Sequence, residues 1–218
     1  MADVDRRSVL RWIAGAPLAI GFGVTRAEAR AAHQHAAGAV AAAAAGESYA
    51  PTFFTPHEWR TVTLLADMIL PADERSGSAS DAGVPELIDF LMTDPVTEDR
   101  PLERRQTAMR GGLAWIDAEC RERFGQPFAD CGEAQRVELL DGVATSTGDE
   151  DEEDDRDPRD LRIPEPRHGR AFFNSFRDLV ASGFWSSRMG VEDLDYRGND
   201  TVEWTGPPPE VLRKLGLE

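Results

Sequence analysis

The chain has 218 residues, 41% of them hydrophobic, with 40 acidic against 24 basic side chains for a net charge of −16. That length suffices for one domain with a proper core plus irregular ends. The acidity excludes the clustered Lys and Arg that nucleic-acid phosphates require, disfavours electrostatic adhesion to anionic lipid, and is compatible with a saline or acidic setting.

The chain begins with an address. Asp5-Arg6-Arg7-Ser8-Val9-Leu10-Arg11 sets a twin arginine before a 13-residue apolar run from Trp12 to Val24, and Ala27-Glu28-Ala29 offers small residues for cleavage. Residues 1–29 therefore read as a twin-arginine export signal, with Arg6 and Arg7 as its recognition pair for the twin-arginine translocase. The apolar run is shorter than the roughly 20 residues needed to span a hydrocarbon core. That export route carries folded proteins, mostly those loaded with a cofactor, yet the remaining sequence shows no Gly-x-Gly-x-x-Gly, no Walker loop and no Cys or His cluster. Either this chain holds a cofactor without a recognisable motif, or its signal exports a folded partner that carries one. Residues 30–50, rich in alanine and containing His33 and His35, are expected to be a linker with solvated histidines.

A helical domain is expected over residues 51–206. Thr55-Pro56-His57-Glu58 has the form of a capping box with proline at the first helical position. Trp59, Val62, Leu65, Met68 and Ile69 then share one face until Pro71. Residues 72–83 read as a flexible loop. A short helix follows from Pro85, with Leu87, Ile88 and Leu91 apolar. A long one runs from Leu102 to Phe124, with Met109, Leu113, Ile116 and Cys120 on its stripe. Gly111 and Gly112 weaken that helix by about 2 kcal/mol against alanine and suggest close helix contact. Glu133–Ala144 should bury Val137, Leu140 and Val143 or Ala144, and a fifth helix spans His168–Ser182. No period-2 run competes, so the fold class is an all-α bundle of about five helices.

Asp149-Glu150-Asp151-Glu152-Glu153-Asp154-Asp155 lies within an acidic insertion, residues 148–166, expected to be disordered; it lacks the central glycine and twelfth-position glutamate of a calcium loop. No catalytic, cofactor or metal residue is nominated: His57 and His168 stand alone, and Asp67 and Asp73 flank a helix end without a visible partner. Cys120 and Cys131 are the only cysteines. In an oxidising compartment they can form a disulfide across the Gly125-Gln126-Pro127 turn, or Cys120 can remain a buried thiol of the apolar stripe.

The last part of the body concentrates large aromatics in a chain that is only 8% aromatic. Beyond Gly183 the expected helix gives way to an aromatic coil. Phe184, Trp185, Ser187, Tyr196, Asn199 and Trp204 there can complete the core or dock on a partner. Residues 207–218 form a tail.

The run Gly183-Phe184-Trp185-Ser186-Ser187-Arg188-Met189-Gly190, followed by Asp193-Leu194, Tyr196 and Gly198-Asn199, resembles the C-terminal signature of the gluconate 2-dehydrogenase subunit 3 family. Phe54-Thr55, Glu58 and Leu65-Ala66-Asp67-Met68-Ile69-Leu70-Pro71-Ala72-Asp73 resemble its opening helix and turn. Many relatives carry a Gly-Cys-Pro where this chain has Gly206-Pro207-Pro208. The resemblance implies a non-catalytic small subunit of an exported flavin-dependent dehydrogenase acting on a sugar, sugar acid or alcohol. It further implies a large flavoprotein partner holding FAD, a cytochrome c subunit with haem c as a possible third member, and membrane association only through the complex. The chain would supply the export signal and aid maturation or stability of the flavoprotein on the extracytoplasmic side. A stand-alone periplasmic enzyme and a free binding module remain the alternatives.

Overall fold

Thr55 stops one chain direction and starts another. Its side chain accepts from the Glu58 amide at 3.2 Å while the Glu58 carboxylate accepts from the Thr55 amide at 2.9 Å, so two otherwise orphaned donors are satisfied together. In the computed structural model, which describes residues 26–93, 102–145, 166–195 and 209–216, this box opens helix α2 (Pro56–Ile69). Before it lies α1 (Arg26–Ala44), and after it come α3 (Val84–Leu91), α4 (Leu102–Phe124), a 3-10 turn (Phe128–Asp130), α5 (Glu133–Thr145), α6 (Pro166–Trp185), α7 (Arg188–Asp193) and α8 (Pro209–Leu215). Among the described residues there is no strand, and the expected all-α bundle is observed.

The expected linker is instead α1. Alanine is the best helix former, and a run of it forms a helix wherever one face can be buried. Ala32 and Ala36 are that face, and α1 lies along α3 more extensively than any other pair of helices meets. Gly83, at φ 77°, caps α3 and lets α1 approach: a Cβ there would stand 2.8 Å from the Val40 side chain and 3.2 Å from the Ala36 carbonyl oxygen. His33 and His35, expected to be solvated, are both docked. His33 Nε2 meets Ser186 Oγ at 2.7 Å, and His35 Nε2 meets the Tyr49 hydroxyl at 3.0 Å while its ring stacks on Phe90.

Helix α6 is the hub, touching α2, α3, α4, α5 and α7. It buries Phe172, Phe173, Phe176, Leu179, Val180 and Phe184. The sequence suggests a stop at Gly183, but the helix continues to Trp185, with Gly183 packed beside Val84 and Leu87 of α3. In α5, Val137 is 42% exposed, whereas Leu139, roughly 200° round the helix, is fully buried beside Leu140 and Val143. The buried face is thus centred away from Val137, contrary to expectation.

Helices α4 and α6 interlock through reciprocal glycines. A Cβ on Gly112 would fall 1.9 Å from the Phe172 ring, and one on Gly169 would fall 1.9 Å from the Trp115 ring, so each helix lodges an aromatic over the bare backbone of the other. Gly111 faces open space. The two adjacent glycines therefore make opposite predictions. Gly112→Ala should destabilise the fold by about 1–3 kcal/mol through overpacking. Gly111→Ala should stabilise it by about 0.5–1 kcal/mol through helix propensity. Chemical denaturation of the two single variants checks this, and shifts of the same sign would contradict the interlock.

Candidate functional site

The two stretches that carry the family resemblance lie about 110 residues apart in sequence, and the fold brings them together. Pro71 ends α2, and the following loop is tied by side-chain caps rather than left loose. Asp67 accepts from the Ser80 amide and hydroxyl, both at 2.8 Å; Asp73 accepts from the Arg75 amide at 2.8 Å and the Ser76 amide at 3.0 Å. This shape delivers Arg75 to the C-terminal motif. Its guanidinium donates to the Asp193 backbone carbonyl and stands 3.2 Å from the buried Asp193 carboxylate.

Within the motif, Ser187 is the N-cap of α7. Its hydroxyl oxygen accepts from the Gly190 amide at 3.1 Å, and its O–H donates to the Phe184 carbonyl at 2.7 Å. Gly190 is held hard against that same carbonyl, where a Cβ would sit 2.1 Å away. Phe184 is 0% exposed and belongs to the core, so it is removed from the docking set. Trp185 is half-buried, edge-on to Phe184, and its indole N–H has no acceptor among the described residues. Tyr196, Asn199 and Trp204 lie outside the described residues, as do Arg6, Arg7, nearly all of the acidic insertion and the side chain of His168.

His57 is not isolated. Its Nε2 lies 2.5 Å from Asp117 Oδ2, a partner 60 residues away, and Asp117 also accepts from the Phe128 amide at 3.0 Å and from Arg121 at 3.4 Å. A carboxylate has only acceptors, so His57 carries its proton on Nε2. The pair lies in a cleft of about 210 Å³ with Thr55, Glu58, Thr61 and Arg110. Thr55 Oγ1 accepts from the Glu58 amide as the cap and Thr61 donates to the His57 carbonyl at 3.2 Å, and the cleft lining includes no Ser or Cys beside the dyad. What it does is clamp α2 to α4 and to the 3-10 turn. The Ser186–His33 contact is equally poor as a catalytic pair. Ser186 Oγ donates to the Ser182 carbonyl, which leaves His33 Nε2 as the donor, and burial holds the His33 pKa below its ordinary value. Among the described residues no group of three or more His, Cys, Asp or Glu side chains is placed to hold a metal.

Cys120 and Cys131 are buried, unbonded thiols in hydrogen-bond contact with each other, and Cys131 Sγ reaches the Gln126 carbonyl at 3.6 Å. Burial, and then the bond to Cys131, pushes the Cys120 thiol up from 9.0 to about 12. The unfolded chain therefore loses this proton first. Below pH 9 the group is neutral in both states and contributes nothing to pH dependence; as pH climbs from 9 towards 12, only the unfolded state ionises and the fold loses stability. A Cys120→Ala variant should lack that part of the alkaline decline. Parallel denaturation curves across this window check it, and superimposable declines would show that the thiol is not shielded.

No curated protein and no solved structure matches the chain. A family model described as gluconate 2-dehydrogenase subunit 3 matches residues 56–206, from the first residue of α2 to beyond the C-terminal motif. That span takes in α2 to α7, including both stretches joined by Arg75 and Asp193. The chain belongs to the gluconate 2-dehydrogenase subunit 3 family.

Proposed function

We propose that this chain is the non-catalytic small subunit of an exported, flavin-dependent dehydrogenase that oxidises a sugar, sugar acid or other alcohol. Family membership supports the coarser part, a subunit within a dehydrogenase complex, and is the observation that carries the reading. The large partner would hold the FAD, and a cytochrome subunit with haem c would pass electrons onward. The cleft at His57, at about 210 Å³, is smaller than the 300–1,000 Å³ typical of sites for organic ligands and is lined by groups already bonded to one another.

The subunit's work is then docking and escort. Trp185 is half-buried and Leu194, at the C-terminal end of α7, is exposed, so this corner offers apolar and aromatic surface of the kind enriched at protein contacts. Arg6 and Arg7 would supply the export signal for the flavoprotein as well as for this chain, taking the complex to the extracytoplasmic side of the membrane. In that oxidising setting the adjacent Cys120 and Cys131 thiols would close to a disulfide, each losing one proton and one electron to an exogenous disulfide oxidant.

Arg6→Lys with Arg7→Lys should leave both this chain and the flavoprotein in the cytoplasm, read by cell fractionation and by dye-linked dehydrogenase activity. Normal flavoprotein export with this chain retained would refute the escort role. For the thiol pair, exported protein denatured and alkylated without reductant should yield a Cys120–Cys131 linked peptide by mass spectrometry. Two alkylated cysteines would show that the pair stays reduced.

A further inference from the structure

The apparent cleavage sequence Ala27-Glu28-Ala29 lies in the first turn of α1. Glu28 is 1% exposed, and its Oε1 accepts from Arg105 Nη2 at 3.0 Å; Arg105 is itself 7% exposed and donates through Nη1 to the Leu91 carbonyl at 2.9 Å. One guanidinium thus joins the start of α1, the end of α3 and the start of α4. Glu28, Ala32 and Ala36, spaced four apart, form one buried stripe of α1, so the acidic residue belongs to the same packed face as the alanines after it.

Cleavage after Ala29 would remove Glu28 and with it the carboxylate that accompanies a guanidinium in a nearly dry setting. Breaking a buried, hydrogen-bonded ion pair is destabilising, because the charge that stays buried keeps its desolvation cost and loses that part of its Coulombic return. Proteolysis also favours exposed, irregular segments, whereas this bond lies in a helix anchored on both sides of the cut. We infer that Ala27-Glu28-Ala29 is not a processing site: the working protein retains Glu28 as a buried ion-pair partner of Arg105, and the N-terminal segment remains covalently joined to the folded body. This deepens the export reading above and rests on it for its biological setting, since an escort that keeps its signal would leave α1 intact in the assembled complex.

The test has two arms. N-terminal sequencing and intact mass of the chain purified with its complex should show Glu28 present, and a chain beginning at Arg30 would overturn the inference. Separately, a chain made to begin at Arg30 should melt roughly 10 °C below the full chain. In that shortened background Arg105→Met should recover part of the loss, whereas in the full chain the same change should lower the melting temperature. Equal melting temperatures for the full and shortened chains would overturn the inference, because Glu28 would then have no structural role. If the full-length protein is found in the cytoplasm, the export reading fails, while the melting series still decides whether Glu28 is indispensable to the fold.

Discussion

The arrangement of the first three helices depends on one buried carboxylate. Asp89, on α3, is 0% exposed and collects five donors from the segment between α1 and α2: the Tyr49 hydroxyl at 3.0 Å, the Thr52 amide and hydroxyl at 2.8 Å, the Phe53 amide at 3.0 Å and the Phe54 amide at 3.2 Å. A desolvated carboxylate is tolerable only when its lone pairs are filled, and charge-assisted bonds of this kind are the strong ones. Three of the donors are backbone amides, so Asp89 specifies the path of the chain rather than the identity of its side chains. It turns the chain into Thr55, where the capping box takes over. Burial and the neighbouring Asp89 charge push the Tyr49 phenol well above its usual range, which keeps it a donor. Since that proton goes to Asp89, His35 supplies the proton in its own bond to the Tyr49 oxygen, and α1 is attached to α3 through a relay of three side chains.

The remaining buried acids extend this logic. Glu28 receives Arg105, Asp117 receives His57 and the Phe128 amide, Glu119 receives Arg123 at 2.9 Å, and Asp193 lies within ion-pair range of Arg75, which donates to its backbone carbonyl. Each bond joins an element to another or steadies one across a helical turn. In a chain of net charge −16, burying acids without partners would be prohibitive, and here the scarce cations and backbone amides are spent on the carboxylates that organise the fold. Less buried carboxylates serve locally, Asp67 and Asp73 as caps of the loop after α2 and Asp130, Asp178 and Glu192 in ion pairs with Arg60, Arg177 and Arg188.

Much of this was legible in sequence where the signal is local. The Thr55 box and the limits of α4 follow from caps, spacing and proline positions, and Leu102–Phe124 is the helix expected. Misreadings arose where composition and packing compete. Alanine-rich low complexity suggested a linker over residues 30–50, yet the same small side chains allow α1 to lie close on α3. Gly183 suggested a helix end because glycine is a weak helix former, but it lies inside α6, which runs on to Trp185, and packs beside Val84 and Leu87. The partner of His57 was invisible because it lies 60 residues away, on another helix. No periodicity encodes such a pair. Glu28 begins an i, i+4, i+8 stripe with Ala32 and Ala36, but nothing local names Arg105, 77 residues on, as its partner.

The interlocked glycines connect the core to the surface on which function would depend. Gly112 and Trp115 of α4 are three residues apart, as are Gly169 and Phe172 of α6, and each glycine receives the aromatic of the other helix. Three residues is just under one turn, so the two contacts fix the rotation as well as the separation of the helices. Helix α6 cannot slide or roll without driving a ring into backbone. It leads without interruption to Phe184 and Trp185, and the Phe184 carbonyl is the point to which both Ser187 and Gly190 are fastened. Arg75 secures the far end of α7 from a different part of the chain. The half-buried Trp185 is therefore held in position by the core before any partner arrives. A subunit that acts by docking gains most from this arrangement, because the entropy of ordering the contact surface has already been lost in folding and is not charged again on association.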